Sequence, residues 1–243
     1  MTITVLKPRS YKRALDEMRP ISIEIDPIPH AEGSAYIKVG DTHVLCVASV
    51  EEDVPRWMKG SGSGWVTAEY ALLPRSTATR TRRSSIEGGR TKEIQRLIGR
   101  SLRTAVDMKA LGERQIILDC DVIRADGGTR CAAITGAWVA LHLAVESLVK
   151  SRKIRQTAMI RQIAAVSVGL VDGVPMLDLD YKEDSKADVD ANIVMTDAGE
   201  FVEIQTTAEQ RPFSPDTLQT MLGLASTGLD QLFAIQNAAI EGK

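Results

Sequence analysis

Apolar and polar residues alternate through SAYIKV (34–39) and HVLCVAS (43–49), on either side of the turn-forming trio Gly-Asp-Thr. That period of two predicts a β-hairpin. The glycine-rich stretch KGSGSGW (59–65) reads as a loop, and LPRSTATRTRRSSIEGGR (73–90) has no apolar periodicity and reads as an exposed basic loop. From Thr91 the period changes to 3.6. Ile94, Leu97, Ile98, Leu102, Ala105 and Val106 form one stripe, so a single helix is expected to run until Gly112. Residues 115–123 (QIILDCDVI) then predict a strand, RADGGTR a connection, and 131–150 a helix that is apolar almost all round and therefore buried.

The second half repeats the theme. IAAVSVGLV and VPMLDLDY flank Asp172-Gly173, a two-residue hairpin signature, and ANIVMT and FVEIQ flank Asp197-Ala198-Gly199. On that alternation Asp178 and Asp180 would share one strand face. A last helix is expected to open at Ser214-Pro215, a capping residue followed by proline. Hairpins alternating with helices predict an α/β (α+β) layer fold with mixed sheets packed on helices. No linker divides the chain, so residues 1–243 are expected to form a single compact domain.

Charge sharpens this picture more than composition does. A net charge of −2 and 44% hydrophobic residues over 243 positions fit an ordinary globular chain. Yet Arg75 to Arg103 holds nine basic residues against two acidic ones, while Asp172 to Asp190 is mostly acidic. Folding can bring such segments face to face as a polyanion and metal site. Cys46, Cys120 and Cys131 show no CxxC spacing and are expected to pack, not to bind metal. The N-terminal stretch shows no apolar signal core, and no apolar run is expected to reach membrane-span length, which makes a reducing, cytoplasmic compartment the default.

Three segments carry candidate chemistry. EGGRT (87–91) and DGGTR (126–130) each place a glycine pair and an arginine before a helix, where unpaired N–H groups and the helix dipole favour an anion. The plain alternative for both is a tight loop and cap, with Thr129 capping the second. DGGTR fits neither GxGxxG nor GxxxxGK(S/T), the known nucleotide-binding loops. The third is LDLDYKEDSKADVDAN (177–192), with five aspartates and a glutamate. It suits a hard cation such as Mg2+, or simply a solvated loop; Lys182 and Glu183 exclude an EF-hand. His30, His43 and His142 lack partner spacing, and His142 is expected to be a core residue. Trp57 and Trp65 flank the Gly/Ser loop and can stack on bases or pack.

Five motifs in order, HAEGSAYIKVGDTHVLC, GWVTAEYALLPRST, GGRTKEIQRLIGRSLR, DCDVIRADGGTRCAAITGAWVAL and LDLDYKEDSKADVDAN, strongly resemble the ribonuclease PH family, from about Arg19 to Gln236. The resemblance implies a phosphate-dependent 3′-to-5′ exoribonuclease, or tRNA nucleotidyltransferase, acting on tRNA precursor 3′ ends and other RNAs, and reversible. It implies that Arg90, Gly128, Thr129 and Arg130 bind inorganic phosphate, and that Asp184 and Asp190 are the catalytic and Mg2+-holding pair. It further implies that Arg75, Arg80 and Arg83 guide RNA, and that the chain forms a homohexameric ring of three dimers. The sequence departs from the family pattern in a shortened loop between Arg83 and Gly88, in Thr206 and Gln210, and in an N-terminal segment where Arg13 stands for the arginine of the usual Asp-Gly-Arg. Two rival readings are a catalytically silent ring subunit and a small-molecule kinase. The intact phosphate and aspartate motifs oppose the first, and the missing glycine-serine ATP loop opposes the second.

Overall fold

The computed structural model describes residues 8–83, 88–209 and 211–242. Strands β1 (Ile21–Ile25), β2 (Gly33–Val39), β3 (Thr42–Glu51), β4 (Trp65–Leu72) and β5 (Gln115–Arg124) form one sheet in the order β1-β2-β3-β5-β4. Neighbours are antiparallel except β4 and β5. A parallel pair needs a crossover, and helices α1 (Gly89–Arg103) and α2 (Met108–Leu111) supply it. Alternate residues such as Ile37, Val44, Cys46, Leu118 and Cys120 are buried and share one core with α3 (Thr129–Lys150). The helix lies very close to the sheet, because a Cβ on Gly136 would stand 2.7 Å from Ile37 Cγ2.

A second, fully antiparallel sheet has the order β7-β6-β8-β9. Its strands are β6 (Ile163–Val171), β7 (Val174–Leu177), β8 (Val189–Thr196) and β9 (Phe201–Ala208). Ile163, Ala165 and Val194 join the α3 core, while Ala164, Val166, Ala191 and Ile193 pack with Met221, Ala225 and Leu229 of α5 (Pro215–Glu241). The layers thus run sheet, α3 with α1, sheet, α5. Ser214 caps α5 through the Thr217 N–H with Pro215 at the first position, as the sequence predicts.

Several expectations are corrected. α3 has mean hydropathy 1.6 over an 18-residue window and is long and apolar enough to cross a membrane, contrary to the sequence reading; 78% of that window is buried inside the protein, where it is the core helix. The helix expected to reach Gly112 stops at Arg103, because Val106 leaves to bridge Met159 and the Asp107 side chain accepts the Lys109 and Ala110 N–H groups to start α2. The first hairpin turns on Gly40 and Asp41 alone, since Val39 already pairs with Thr42.

Candidate functional site

The uncapped starts of two long helices meet at one cavity of about 300 Å3. α2, α5 and the one-turn helix α4 (Tyr181–Asp184) each begin with a side chain that accepts first-turn N–H groups. α1 and α3 do not: their N-caps are Gly88 and Gly128, with no side-chain cap bond. Their first N–H groups are therefore available to an anion at the positive end of each dipole. Thr129 is not the cap that the sequence suggested. It is the first residue of α3, and its Oγ1 accepts from Tyr70 Oη at 2.9 Å.

Glycine is required at the α3 entry. Gly127 and Gly128 have φ of +77° and +64°, in the left-handed region that disfavours a Cβ. A Cβ on Gly127 would also stand 2.6 Å from the Leu179 carbonyl oxygen and 2.8 Å from the Tyr181 nitrogen. The loop is tied down by Thr42, whose Oγ1 donates to the Gly127 carbonyl (2.7 Å) and accepts from the Asp126 N–H (3.0 Å).

Arg90 and Arg130, each the second residue of its helix, line the cavity with Gly128 and Thr129. Arg130 Nη1 donates to Gln205 Oε1 (2.6 Å) and pairs with Glu93 (3.5 Å), and Gln205 Nε2 donates to Glu93 (2.9 Å). Asp184, at the end of α4, and Asp190, in β8, line the same cavity. Burial first, and then the neighbouring Asp184 charge, push the Asp190 carboxyl up to about 6 despite Arg130. Burial likewise raises Asp184 against the pull of Arg90 and Arg130. Asn192 donates to Asp190 at 3.4 Å and accepts from the Cys131 thiol at 3.2 Å.

The other acidic residues of the run are spoken for. Asp178 and Asp180 do not share a strand face, because β7 ends at Leu177 and Asp178 turns away with φ +53°. Asp178 is 3% exposed and accepts from the Arg19 backbone N–H (2.8 Å), Nε (2.9 Å) and Nη2 (2.7 Å). Burial pushes this carboxyl up, but Arg19 holds it below the usual carboxylate value. Arg19 Nη1 also donates to the Asp126 carbonyl (2.6 Å), so one guanidinium joins the glycine loop to the turn before α4. Asp180 and Glu183 form a capping box on α4, and Glu183 is gripped by Arg9 (2.7 Å) and Arg13 (3.2 Å). Arg13 thus does structural work from the divergent N-terminal segment. Asp188 accepts from the Gly173 N–H at 3.2 Å.

The three candidate RNA arginines do not line this cavity. Arg75 lines an adjacent one of about 630 Å3 with Asp41, His43, Arg124, Asp126 and Lys182, which meets the first at Thr77 and Ala125. Arg80 and Arg83 are exposed on the same loop. The shortened loop falls at 84–87, and this segment and Gln210 lie outside the described residues. Thr206 sits inside β9 opposite Ala191, so the strand runs through it without a turn. Trp57 and Trp65 pack edge to face at 5.0 Å, with Arg103 over Trp65 at 4.4 Å. His142 is half-buried and faces Glu146 at 3.4 Å instead of lying in the core. Sequence reasoning did not single out Arg9, Arg19, Tyr70, Glu93, Gln205 or Asn192. Their partners in this site lie 37 to 174 residues away, apart from the local Asn192–Asp190 bond, and leave no local pattern.

Comparison with known proteins agrees with this geometry. Residues 17–145 match domain 1 of the 3′ exoribonuclease family, and residues 161–228 match its domain 2. The chain is 56% identical to ribonuclease PH of Roseobacter denitrificans over 234 residues, covering 95% of this chain and 99% of that protein. It is also 56% identical to ribonuclease PH of Brucella ovis over 236 residues, covering 96% and 99%. The fold resembles rice (Oryza sativa) Rrp46, with TM-score 0.79, 18% identity and coverage of 96% of this chain and 100% of that one. It also resembles a chain of the Archaeoglobus fulgidus exosome with RNA bound to the active site, with TM-score 0.80, 20% identity and coverage of 93% and 91%. With both family domains matched and more than half of its residues identical to ribonuclease PH along nearly its whole length, the chain belongs to the 3′ exoribonuclease family, among the phosphorolytic nucleotidyltransferases of the ribonuclease PH kind.

Proposed function

We propose that this chain shortens RNA from the 3′ end, tRNA precursors among its substrates, by letting inorganic phosphate attack the last phosphodiester. The observation that carries this reading is the pairing of two uncapped helix starts, each with an arginine, opposite two carboxylates across one cavity. The attacking phosphate sits on the first-turn N–H groups of α3 with Arg90 and Arg130. Its oxygen bonds to the terminal phosphorus, the P–O3′ bond breaks, and the nucleotide leaves as a diphosphate. The electron pair stays on the 3′-oxygen of the shortened RNA, which takes a proton. Attacker and target are both anionic, so holding them together and neutralising their charge supplies most of the rate. The sequence favours Asp184 as proton donor; the upward shift of Asp190 to about 6 makes Asp190 the better holder of a proton near neutral pH. Bond energy is roughly conserved, so nucleotide addition from diphosphates runs on the same site.

Asp184 and Asp190 also fit Mg2+ by their chemistry. Both offer hard oxygens, and both stay under-neutralised, Asp184 beside Arg90 and Arg130 and Asp190 beside Arg130. Among the described residues no cluster of three His, Cys, Asp or Glu could hold a metal. An ion held by two carboxylates keeps waters and takes its other ligands from substrate phosphate. When bound, it would add positive charge at the scissile phosphate. The exposed Arg75, Arg80 and Arg83 lead RNA toward the cavity. The chain assembles as a homohexameric ring of three dimers, and Leu45, Val47 and Ile117, partly exposed on the outer face of the first sheet, suit a second copy. A reducing, cytoplasmic setting suits three buried free thiols, and residues 1–243 are read as one domain because both sheets share the α3 core. Asp190→Ala should abolish phosphate-dependent turnover while RNA binding stays near the wild-type level. Retained turnover would remove Asp190 from the chemistry.

A further inference from the structure

Two aromatic side chains line the cavity, and they are used differently. Tyr70 is 2% exposed and its hydroxyl is committed to Thr129. Tyr181 is 62% exposed although it borders the arginines and carboxylates. An aromatic ring left in water beside a polar cavity forgoes the burial that such a residue ordinarily gains. Its backbone is nevertheless fixed. It opens α4, whose capping box is anchored by the Arg9 and Arg13 grip on Glu183. Gly127 packs directly on the Tyr181 nitrogen, leaving no room there for a Cβ.

We propose that Tyr181 is a stacking platform for the base of the RNA 3′-terminal nucleotide. The inference rests on the exoribonuclease reading above and adds a contact to it. α4 carries Tyr181 at its first residue and Asp184 at its last, with the phosphate-binding glycines against its entry. The terminal nucleotide is joined to the phosphorus under attack, so its base falls beside this one turn. A π-face grips any base, so the contact adds affinity without sequence preference. That suits an enzyme that must release each successive nucleotide whatever its base.

The test compares two RNA oligonucleotides that differ only in having a normal or an abasic 3′-terminal nucleotide. Binding is measured without phosphate, and nucleoside diphosphate release with it. Tyr181→Ala should weaken binding of the normal RNA roughly tenfold to a hundredfold. Tyr181→Phe should restore it, and the abasic RNA should bind wild type and Tyr181→Ala alike. Unchanged binding of the normal RNA, an equal loss on both RNAs, or failure of phenylalanine to restore affinity would each overturn the stack. Absence of diphosphate release by the wild-type protein would count against phosphorolysis instead, and the binding arm would still decide the role of Tyr181.

Discussion

Replacing Asp190 by asparagine should stabilise the metal-free protein at alkaline pH. The carboxyl is largely buried and is pushed from an ordinary 3.8 to about 6 by burial and by Asp184. Below pH 3.8 both folded and unfolded chains carry the proton, and the group costs nothing. As pH rises, the unfolded chain ionises first, so a penalty on folding grows until about pH 6 and stays constant above it. Some two pKa units at 1.36 kcal/mol each give about 3 kcal/mol as an upper bound, and relaxation around the charge brings it to roughly 1–3 kcal/mol. Asparagine keeps an acceptor for Asn192 and cannot ionise. Urea unfolding in a chelator should therefore show the variant about 1–3 kcal/mol more stable than wild type at pH 8 and nearly equal at pH 4. Adding Mg2+ should stabilise the wild type and close the gap, because the ion uses the charge that the variant lacks. A variant no more stable at pH 8 in chelator would refute the claim that burial and the Asp184 charge hold this carboxyl under-neutralised.

Two further substitutions probe the frame and the approach to the site. Arg19→Ala removes the two side-chain bonds to the buried Asp178 and the hold on the Asp126 carbonyl. Its backbone N–H bond survives, so the loss should be roughly 3 kcal/mol, toward the low end for an orphaned buried charge, read as a lowered urea midpoint; a loss below about 1 kcal/mol would show that Asp178 finds other partners. Arg80→Ala, on an exposed loop, should weaken RNA binding and reduce the salt slope by about 1 while leaving the melting temperature unchanged. An unchanged slope would take Arg80 off the RNA path.

The strands and hairpins were legible because a half-buried strand writes its burial into alternate residues, as in SAYIKV and HVLCVAS. Asp172-Gly173 and Ser214-Pro215 were legible because turn and cap chemistry is local. The break between α1 and α2 was not. Ala105 and Val106 keep the helical stripe apolar, and their exit depends on Met159, far along the chain. The acidic run shows the same division. Composition flagged it, and the family motif singled out Asp184 and Asp190, the two that face the cavity. That Asp178 is neutralised by Arg19 could not be read, because 159 residues separate them and Asp178 adopts a left-handed turn that breaks the apparent alternation. The rest of the acidic run is bonded to three arginines of the N-terminal segment or to backbone N–H groups, leaving Asp184 and Asp190 facing the cavity.

The central claim is that phosphate, not water, cuts the RNA. Inorganic phosphate carrying an isotopic label, supplied with Mg2+ and an unlabelled tRNA precursor, tests it directly. The account predicts that the label appears as the terminal phosphate of nucleoside diphosphates, one for each nucleotide lost from the 3′ end. Nucleoside monophosphates with the label left in solution would contradict it.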